Sequence, residues 1–175
     1  MQLLPLDTPD LIELASSWLS NDENSKWLDF GSGVQALTPT TLRIMTQRSL
    51  HVLRVYTADT DDVPAGVAGL SNVDRRFKTA TVWAVLGNKR YGGCTTRAVS
   101  RLLTLGFTEL GLVAVNAWTV DVNVAARRVL EHLGFSYVGR QRQCHYVDGR
   151  RHDRLLFDLL AGEHASLVAG AQTTG

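Results

Sequence analysis

Seven residues, Arg90-Tyr91-Gly92-Gly93-Cys94-Thr95-Thr96, stand between an apolar run of β character and an amphipathic stretch with helical spacing. Glycines let a chain turn tightly and bring its backbone close to a ligand, and the first N–H groups of the helix that follows have no partners inside that helix. With the positive end of the helix dipole behind them, these groups make an anion cradle suited to phosphate oxygens. Arg90 adds a planar fork of permanent charge. The spacing is neither the GxGxxG dinucleotide fingerprint nor a P-loop, because no Gly-Lys-Ser/Thr closes the turn. Any strand-to-helix connection also favours glycine, so the cradle acquires meaning from a second pattern about thirty positions on. There Asn123-Val-Ala-Ala126-Arg127 leads through Leu130 and Glu131 to Gly134-Phe135.

The elements that must hold these residues are read from periodicity. Helical spacing over 8–20 sets Leu11, Leu14, Ala15, Trp18 and Leu19 on one side, and Pro39 opens a second helix over about 40–48. Between them, residues 21–37 mix polar turn formers with Trp27, Leu28 and Phe30, a loop that packs aromatics. Strands follow at 52–56, 65–73 and 79–86, an antiparallel meander whose first turn carries the acidic run Asp59 to Asp62, read as a solvated turn. Val99, Leu102, Leu103, Phe107 and Leu110 make the stripe of a helix over 95–110 with Gly111 just beyond it, and 113–120 is the next strand. Strand, cradle, helix and strand form a right-handed βαβ crossover, and such units open their ligand crevice at the carboxyl ends of the strands. Ala126, Val129, Leu130 and Leu133 stripe another helix, and strands at 137–145 and 155–159 flank the turn Asp148-Gly149. The tail from Ala161 has little to pack and is expected to fray.

A chain of 175 residues with 45% apolar and 20% charged residues and a net charge of +1 is an ordinary soluble domain. That balance gives no electrostatic case for nucleic acid or an anionic membrane. No apolar run approaches the roughly 20 residues that span a bilayer, and the start lacks a basic region followed by an apolar one, so a cytoplasmic protein is the default expectation. Two cysteines, Cys94 and Cys144, are too few for a disulfide framework or a metal knuckle, and no metal is expected.

Arg90-x-x-Gly93-x-Thr95, then Asn123 with Ala126 and Gly134-Phe135, then Asp148-Gly149-x-x-x-Asp153 together resemble the GNAT superfamily of acyl-CoA-dependent N-acyltransferases, in particular its RimJ/RimL-like branch. The order of elements is similar from about Leu6 to Leu160. The resemblance implies an α+β fold: a central mixed, mostly antiparallel sheet, splayed between its fourth and fifth strands and flanked by helices. One domain would cover 1–160 and a flexible tail 161–175. It implies acetyl-CoA as the donor, with the pyrophosphate on the backbone of Tyr91, Gly92, Gly93, Cys94, Thr95 and Thr96 beside Arg90. The pantetheine arm would run against Val85 and Leu86, with Asn123 near the thiol end or the pantetheine and Arg127 near the outer part of the coenzyme. Asn123 is equally an N-cap, and Arg127 reads first as a solvated helix residue. The acceptor would be an amine, on a small molecule or a protein N-terminus, bound by residues 20–40, the 72–78 turn and the last hairpin, with Trp18, Trp27 and Phe30 shaping the pocket. A homodimer stays open.

Three departures from that family pattern bear on the chemistry. Leu130 stands where many relatives carry a tyrosine proposed as general acid, and strand 79–86 has no carboxylate to act as base. Thr95 is a β-branched residue where the family has glycine or alanine. Direct attack of an amine on the thioester through a tetrahedral intermediate still demands little of side chains: an α-amine has a pKa near ~8 and a thiolate leaving group resembles cysteine at ~8.5. Asn116, Trp118 and His145 are the polar groups on nearby strands that could carry protons. Arg140, Arg142, Arg150, Arg151 and Arg154 form a basic hairpin face, solvated or able to recruit an acidic acceptor. The missing acid and base also motivate an alternative, a GNAT-fold module that binds acyl-CoA without catalysis.

Overall fold

The computed structural model describes residues 1–31, 37–59 and 61–172. Residues 32–36 of the aromatic loop, Thr60 of the acidic turn and 173–175 of the tail lie outside the described residues. One sheet contains β1 (Leu3–Pro5), β2 (Val52–Thr57), β3 (Pro64–Asp74), β4 (Thr79–Leu86), β5 (Ala114–Val120), β6 (Ser136–Val147) and β7 (Arg150–Leu160), in the order β1-β2-β3-β4-β5-β7-β6. All neighbours are antiparallel except β4 and β5, so the fold is the expected mixed, mostly antiparallel α+β arrangement. The first strand was not foreseen: three residues ending in proline carry no alternation, and it exists because β2 offers an edge, with Leu4 opposite Val55. Its presence makes the strand at 79–86 the fourth.

The parallel pair decides where a ligand can enter. Thr79, Ala80 and Thr81 pair with Ala114, Val115 and Asn116, and beyond that rung the two strands part. From Val82 to Leu86, β4 is held only by β3, while Ala117 to Val120 are held only by β7. Backbone groups on the facing edges thus lack ladder partners, and an extended ligand can add to them as a strand would.

Both faces of the sheet are covered. On one, Ala98, Val99, Leu102 and Leu103 of α4 (Cys94–Thr108) pack with Leu70, Val82 and Val115, joined by Leu130 of α5 (Val124–His132). On the other, Ile12, Ala15 and Leu19 of α1 (Pro9–Leu19) and Leu42 and Met45 of α3 (Pro39–Thr46) pack with Leu53, Val55, Val67 and Val85. Coverage on two sides explains why β3 is buried without interruption from Ala65 to Ser71 and reads as an apolar run with no alternation. Side chains cap the shorter helices: Thr8 accepts from the Leu11 N–H, Thr38 from Thr41, and Asn21 from Glu23 at the head of the four-residue α2 (Asp22–Ser25). The β6–β7 turn has Asp148 and Gly149 at φ of 49° and 78°, the two left-handed residues a tight hairpin requires.

The frayed tail is a correction. Residues 161–172 form α6 (Ala161–Gln172), capped by the Glu163 carboxylate, which accepts from the Leu160 N–H at 2.9 Å. Its anchor is His164, buried, with Nε2 2.8 Å from the Thr104 hydroxyl and its ring 5.4 Å from Phe107. A helix held by one buried histidine, with Leu167 over Gly134, leaves no apolar period in the sequence. No helix among the described residues is long and apolar enough to cross a membrane.

Candidate active site

A cleft of about 440 Å³ occupies the gap between the parted strands. Val82, Trp83 and Val85 form one wall, and Ala117, Trp118 and Thr119 the other. At one end it reaches Gly92, Thr95 and Asn123, and at the opposite end Trp27, Phe30, His51 and Ser71.

The α4 end is built from backbone. Asn88 accepts from the Arg90 N–H at 3.2 Å and starts a single 3₁₀ turn over Lys89–Tyr91, after which α4 begins at Cys94, with Gly93 at the N-cap and no side chain capping it. Its leading N–H groups are therefore left to an external acceptor, unlike those of α1, α3 and α5. A Cβ at Gly93 would meet nothing within 4 Å, and one at Gly92 only the Lys89 carbonyl at 3.8 Å, so the space in front of the helix is open.

Of the residues singled out at this end, Val85, Leu86, Gly92 and Thr95 border the cleft, whereas Arg90, Tyr91, Gly93, Cys94 and Thr96 do not. Arg90 is exposed with its guanidinium 5.8 Å from the Tyr91 ring. Tyr91 donates its hydroxyl to Asp61 at 2.9 Å, and Cys94 and Arg97 both contact Asp59. The acidic turn is thus a tether on the outer side of the cradle, not a freely solvated loop. Lys89, which no motif pointed to, does border the cleft and donates to Asn24 Oδ1 at 3.4 Å.

Tyr56 is the other residue that periodicity passed over. Wholly buried, it donates to the Val85 carbonyl at 3.1 Å and sits 2.9 Å from Thr95 Oγ1, tying the end of β4 to the first turn of α4. Burial pushes its phenol far above the usual range, so it stays a neutral donor. Its partners are 29 and 39 positions away, beyond any local signal.

Beside α5, Asn123 borders the cleft and caps the helix, its Oδ1 accepting from the Ala126 N–H at 3.1 Å. Arg127 does not border the cleft and pairs with Glu131 one turn on, at 3.5 Å. Leu130 is buried on the cleft wall.

Of the three proton-carrier candidates Trp118 borders the cleft, and the other two need correction. Asn116 is exposed and outside the cleft, because residues on a strand alternate between faces and its neighbours Val115 and Ala117 are the ones turned into the core. His145 is buried with both ring nitrogens engaged: Nε2–H donates to the Lys26 carbonyl at 2.8 Å, and Nδ1 accepts from Arg154 at 2.8 and 3.2 Å. It has no free lone pair for catalysis. Arg154, read as part of the basic surface, is in fact turned inward, 4.1 Å from the Trp118 ring and paired with Asp29 at 2.6 Å. Arg140 pairs with the buried Asp153 at 3.1 Å, and Arg142, Arg150 and Arg151 remain exposed.

Burial, with a smaller push from Arg154, holds the His145 pKa below its ordinary value, against the opposing bond to Lys26. The folded protein then binds fewer protons than the unfolded chain between the lowered value and about 6.5. Stability is complete above that upper limit and is lost as pH falls through the window. Thermal melts at pH 7 and pH 5 should show a lower midpoint in acid, and His145→Gln should melt earlier at pH 7 yet lose less on acidification. An unaltered acid slope in the variant would contradict this.

At the far end, Trp27 and Phe30 border the cleft, while Trp18 packs over Gly87 in the α1 core. Glu23, Ser71 and Asn72 join them, so of the segments expected on the acceptor side part of 23–30 and Asn72, the latter still within β3, border the cleft, whereas residues 73–78 and the last hairpin do not.

Residues 1–136 match the family described as Acetyltransferase (GNAT) domain. The chain belongs to the GNAT acetyltransferase family. It is by family an acyl-CoA-dependent N-acetyltransferase, and its relatives fall on the RimJ/RimL-like side. It is 28% identical over 169 residues to the "Putative ribosomal N-acetyltransferase YdaF" of Bacillus subtilis (strain 168), covering 90% of each chain. It is 30% identical over 112 residues to the "Uncharacterized N-acetyltransferase p20" of Bacillus licheniformis, covering 63% of this chain but 62% of that protein, under two thirds of its length. In fold, this GNAT domain superposes on RimJ of Mycobacterium smegmatis in complex with CoA-disulfide with a TM-score of 0.75 at 22% identity, covering 97% of this chain and 88% of that one. A spermidine N-acetyltransferase from Vibrio cholerae, in complex with CoA and spermine, gives a TM-score of 0.79 at 16% identity, covering 94% and 97%.

Proposed function

We propose that this GNAT protein is a cytoplasmic enzyme that moves the acetyl group of acetyl-CoA to a primary amine, carried by a protein N-terminus or a small molecule, by direct attack of the amine. The observation that carries the reading is the uncapped start of α4 at one end of a cleft that runs between strands parted after a single three-residue parallel ladder. The residues present suit the donor. The α4 N–H groups and the open space at Gly92 and Gly93 would take the diphosphate, and the free edge of β4 would pair with an amide-bearing pantetheine arm. Lys89 at the cleft rim supplies a cation for it.

Alternate N–H groups of β4 point away from β3, and these would hold a carbonyl oxygen as negative charge develops on it. Asn123, fixed by its own capping bond, would orient the acyl end. The aromatic far end, with Trp27, Phe30 and Trp83, excludes water and leaves the amine to enter past Glu23 and Asn72. An α-amine is neutral in roughly a tenth of molecules at pH 7, and a lysine-like amine far less often, which favours acceptors of low basicity.

Thiol release with a panel of amino-terminal peptides and small amines, beside calorimetric titration of coenzyme A, tests the reading. Turnover with at least one amine is expected. Tight coenzyme A binding with no thiol release from any acceptor would favour a non-catalytic acyl-CoA module, the reading motivated by Leu130 and by a β4 free of carboxylates.

A further inference from the structure

Acetyl transfer to an ammonium-bearing acceptor needs somewhere for a proton to go, and neither Asn116 nor His145 can take it. Four titratable side chains among the described residues border the cleft: Glu23, Asp29, His51 and Lys89. Asp29 is committed to Arg154, and Lys89 is a cation. Glu23 is exposed on α2. His51 is half-buried at the end of the cleft away from α4, where β4 and β5 are still joined.

The surroundings of His51 form a chain of oriented groups. Trp83 lies across Gly69 on the neighbouring strand, where a Cβ would stand 2.7 Å from the indole, and its Nε1–H donates to Ser71 Oγ at 2.8 Å. Ser71 Oγ is 3.2 Å from His51 Nδ1. The indole is itself braced edge-on by Phe30 at 4.9 Å. Ser71 pairs with Thr81, the residue at the last rung before β4 and β5 part, so the device stands level with the point where the cleft opens. Just beyond it β3 bulges at Asn72, held at a φ of 53°, and the Leu50 carbonyl accepts from the Val73 N–H, fixing the chain beside His51. Bulges of this kind re-aim side chains next to active sites.

We propose that His51 is the proton acceptor for the attacking amine, with Ser71 and Trp83 as the positioning residues that set its ring. This rests on the acetyl-transfer reading above. In the tautomer this role requires, Nδ1–H donates to Ser71 Oγ, which also accepts from Trp83, and Nε2, with no partner among the described residues, carries the free lone pair. The acceptor ammonium gives one proton to Nε2 and becomes a neutral amine. Its lone pair forms the N–C bond to the thioester carbonyl, the C–S bond breaks, and the second proton shed by nitrogen goes to the departing thiolate. The imidazolium keeps its Nδ1–H bond to Ser71 and then releases its proton to water. An exit exists, because His51 also borders a second depression, shared with Asp7, Arg43 and Arg54.

Burial, and then the nearby Arg48, hold the His51 pKa below its ordinary value, which keeps the ring neutral near pH 7. The charged groups around it are Arg48 on its own segment, Glu23, Asp29 and Lys89 across the cleft, and Asp7, Arg43 and Arg54 on the depression side.

The experiment measures kcat/KM against pH, with calorimetric binding of coenzyme A, for wild type, His51→Gln, His51→Ala and Ser71→Ala. At pH 7, His51→Gln should lower kcat/KM about 100-fold, with coenzyme A affinity within about twofold of wild type. The loss should shrink at high pH, where the amine is already neutral, and the acid limb of the profile should disappear. Added imidazole should restore part of the activity of His51→Ala, and Ser71→Ala should shift the limb with a smaller loss. Wild-type rates in His51→Gln would overturn the assignment, as would a loss that imidazole does not relieve and that leaves the acid limb in place. A wild type that binds coenzyme A and turns over no amine overturns the acetyl-transfer reading itself, which separates the two failures.

Discussion

Gly93→Asp is expected to weaken coenzyme A binding about 1000-fold while the protein melts at or above the wild-type temperature. Gly93 has φ of −78° and ψ of −11°, a backbone any residue adopts, and its added Cβ meets nothing within 4 Å. An aspartate there stands at the positive end of α4, where a carboxylate contributes about 0.3–1 kcal/mol of helix stability and satisfies N–H groups that no side chain now caps. The same carboxylate would face the diphosphate. Two unit charges about 4 Å apart near a protein surface repel by about 4 kcal/mol, and each 1.4 kcal/mol is a factor of ten in affinity. Calorimetric titration and a thermal melt report the two effects separately. Gly93→Asn fills the same space without charge and should lose only about tenfold, which assigns the rest to electrostatics. Unchanged binding in Gly93→Asp would mean that the diphosphate does not sit at the start of α4.

What could be read in advance followed from local chemistry. The stripe Val99, Leu102, Leu103 and Phe107 marked α4, Asp148-Gly149 marked the last hairpin, and a Gly-Gly turn before a helix marked the uncapped N-terminus. Each depends on residues within a few positions of one another. Groups that act across the sheet left no such trace. Tyr56 serves the cradle from the neighbour of a neighbouring strand, and His51 reaches the cleft through Ser71 and Trp83, 20 and 32 positions away. His145 illustrates the opposite error: a histidine on a late strand suggested proton transfer, but the fold surrounds it with Arg154 and the Lys26 carbonyl and makes it a brace between β6, β7 and the segment after α2. The polarity of a residue was visible in the chain, whereas its spare lone pairs depended on which partners the tertiary fold delivered. Helix α6 escaped for a related reason, since one buried histidine rather than an apolar face holds it.

Gly66→Ala should destabilise the protein by about 3 kcal/mol and lower its melting temperature by roughly 6–12 °C, although the change adds one methyl group. Gly66 lies on β3, between β2 and β4, opposite Tyr56 on one side and Leu86 at the end of β4 on the other. Its missing side chain is the space through which Tyr56 extends to the end of β4, for a Cβ there would overlap both the Tyr56 hydroxyl and the Val85 carbonyl oxygen. The phenol is wholly buried and the carbonyl is backbone in a central strand, so neither yields cheaply. Displacing the ring also breaks the bonds to Val85 and Thr95, and a buried carbonyl left without its donor costs about 1–3 kcal/mol. Because those bonds join β4 to α4, coenzyme A affinity should fall along with stability. Tyr56→Phe alone removes the bonds and leaves Gly66 untouched, and it should cost about 1–2 kcal/mol. In the double variant the overlap with the hydroxyl is gone, so the combined loss should be smaller than the sum by at least about 1 kcal/mol, the coupling expected of residues in contact. Denaturant melts of the four proteins measure that cycle. Strict additivity, or a Gly66→Ala protein within about 0.5 kcal/mol of wild type, would show that the tyrosine hydroxyl does not depend on the glycine and that the link from β2 to the cradle is not what holds α4 in place.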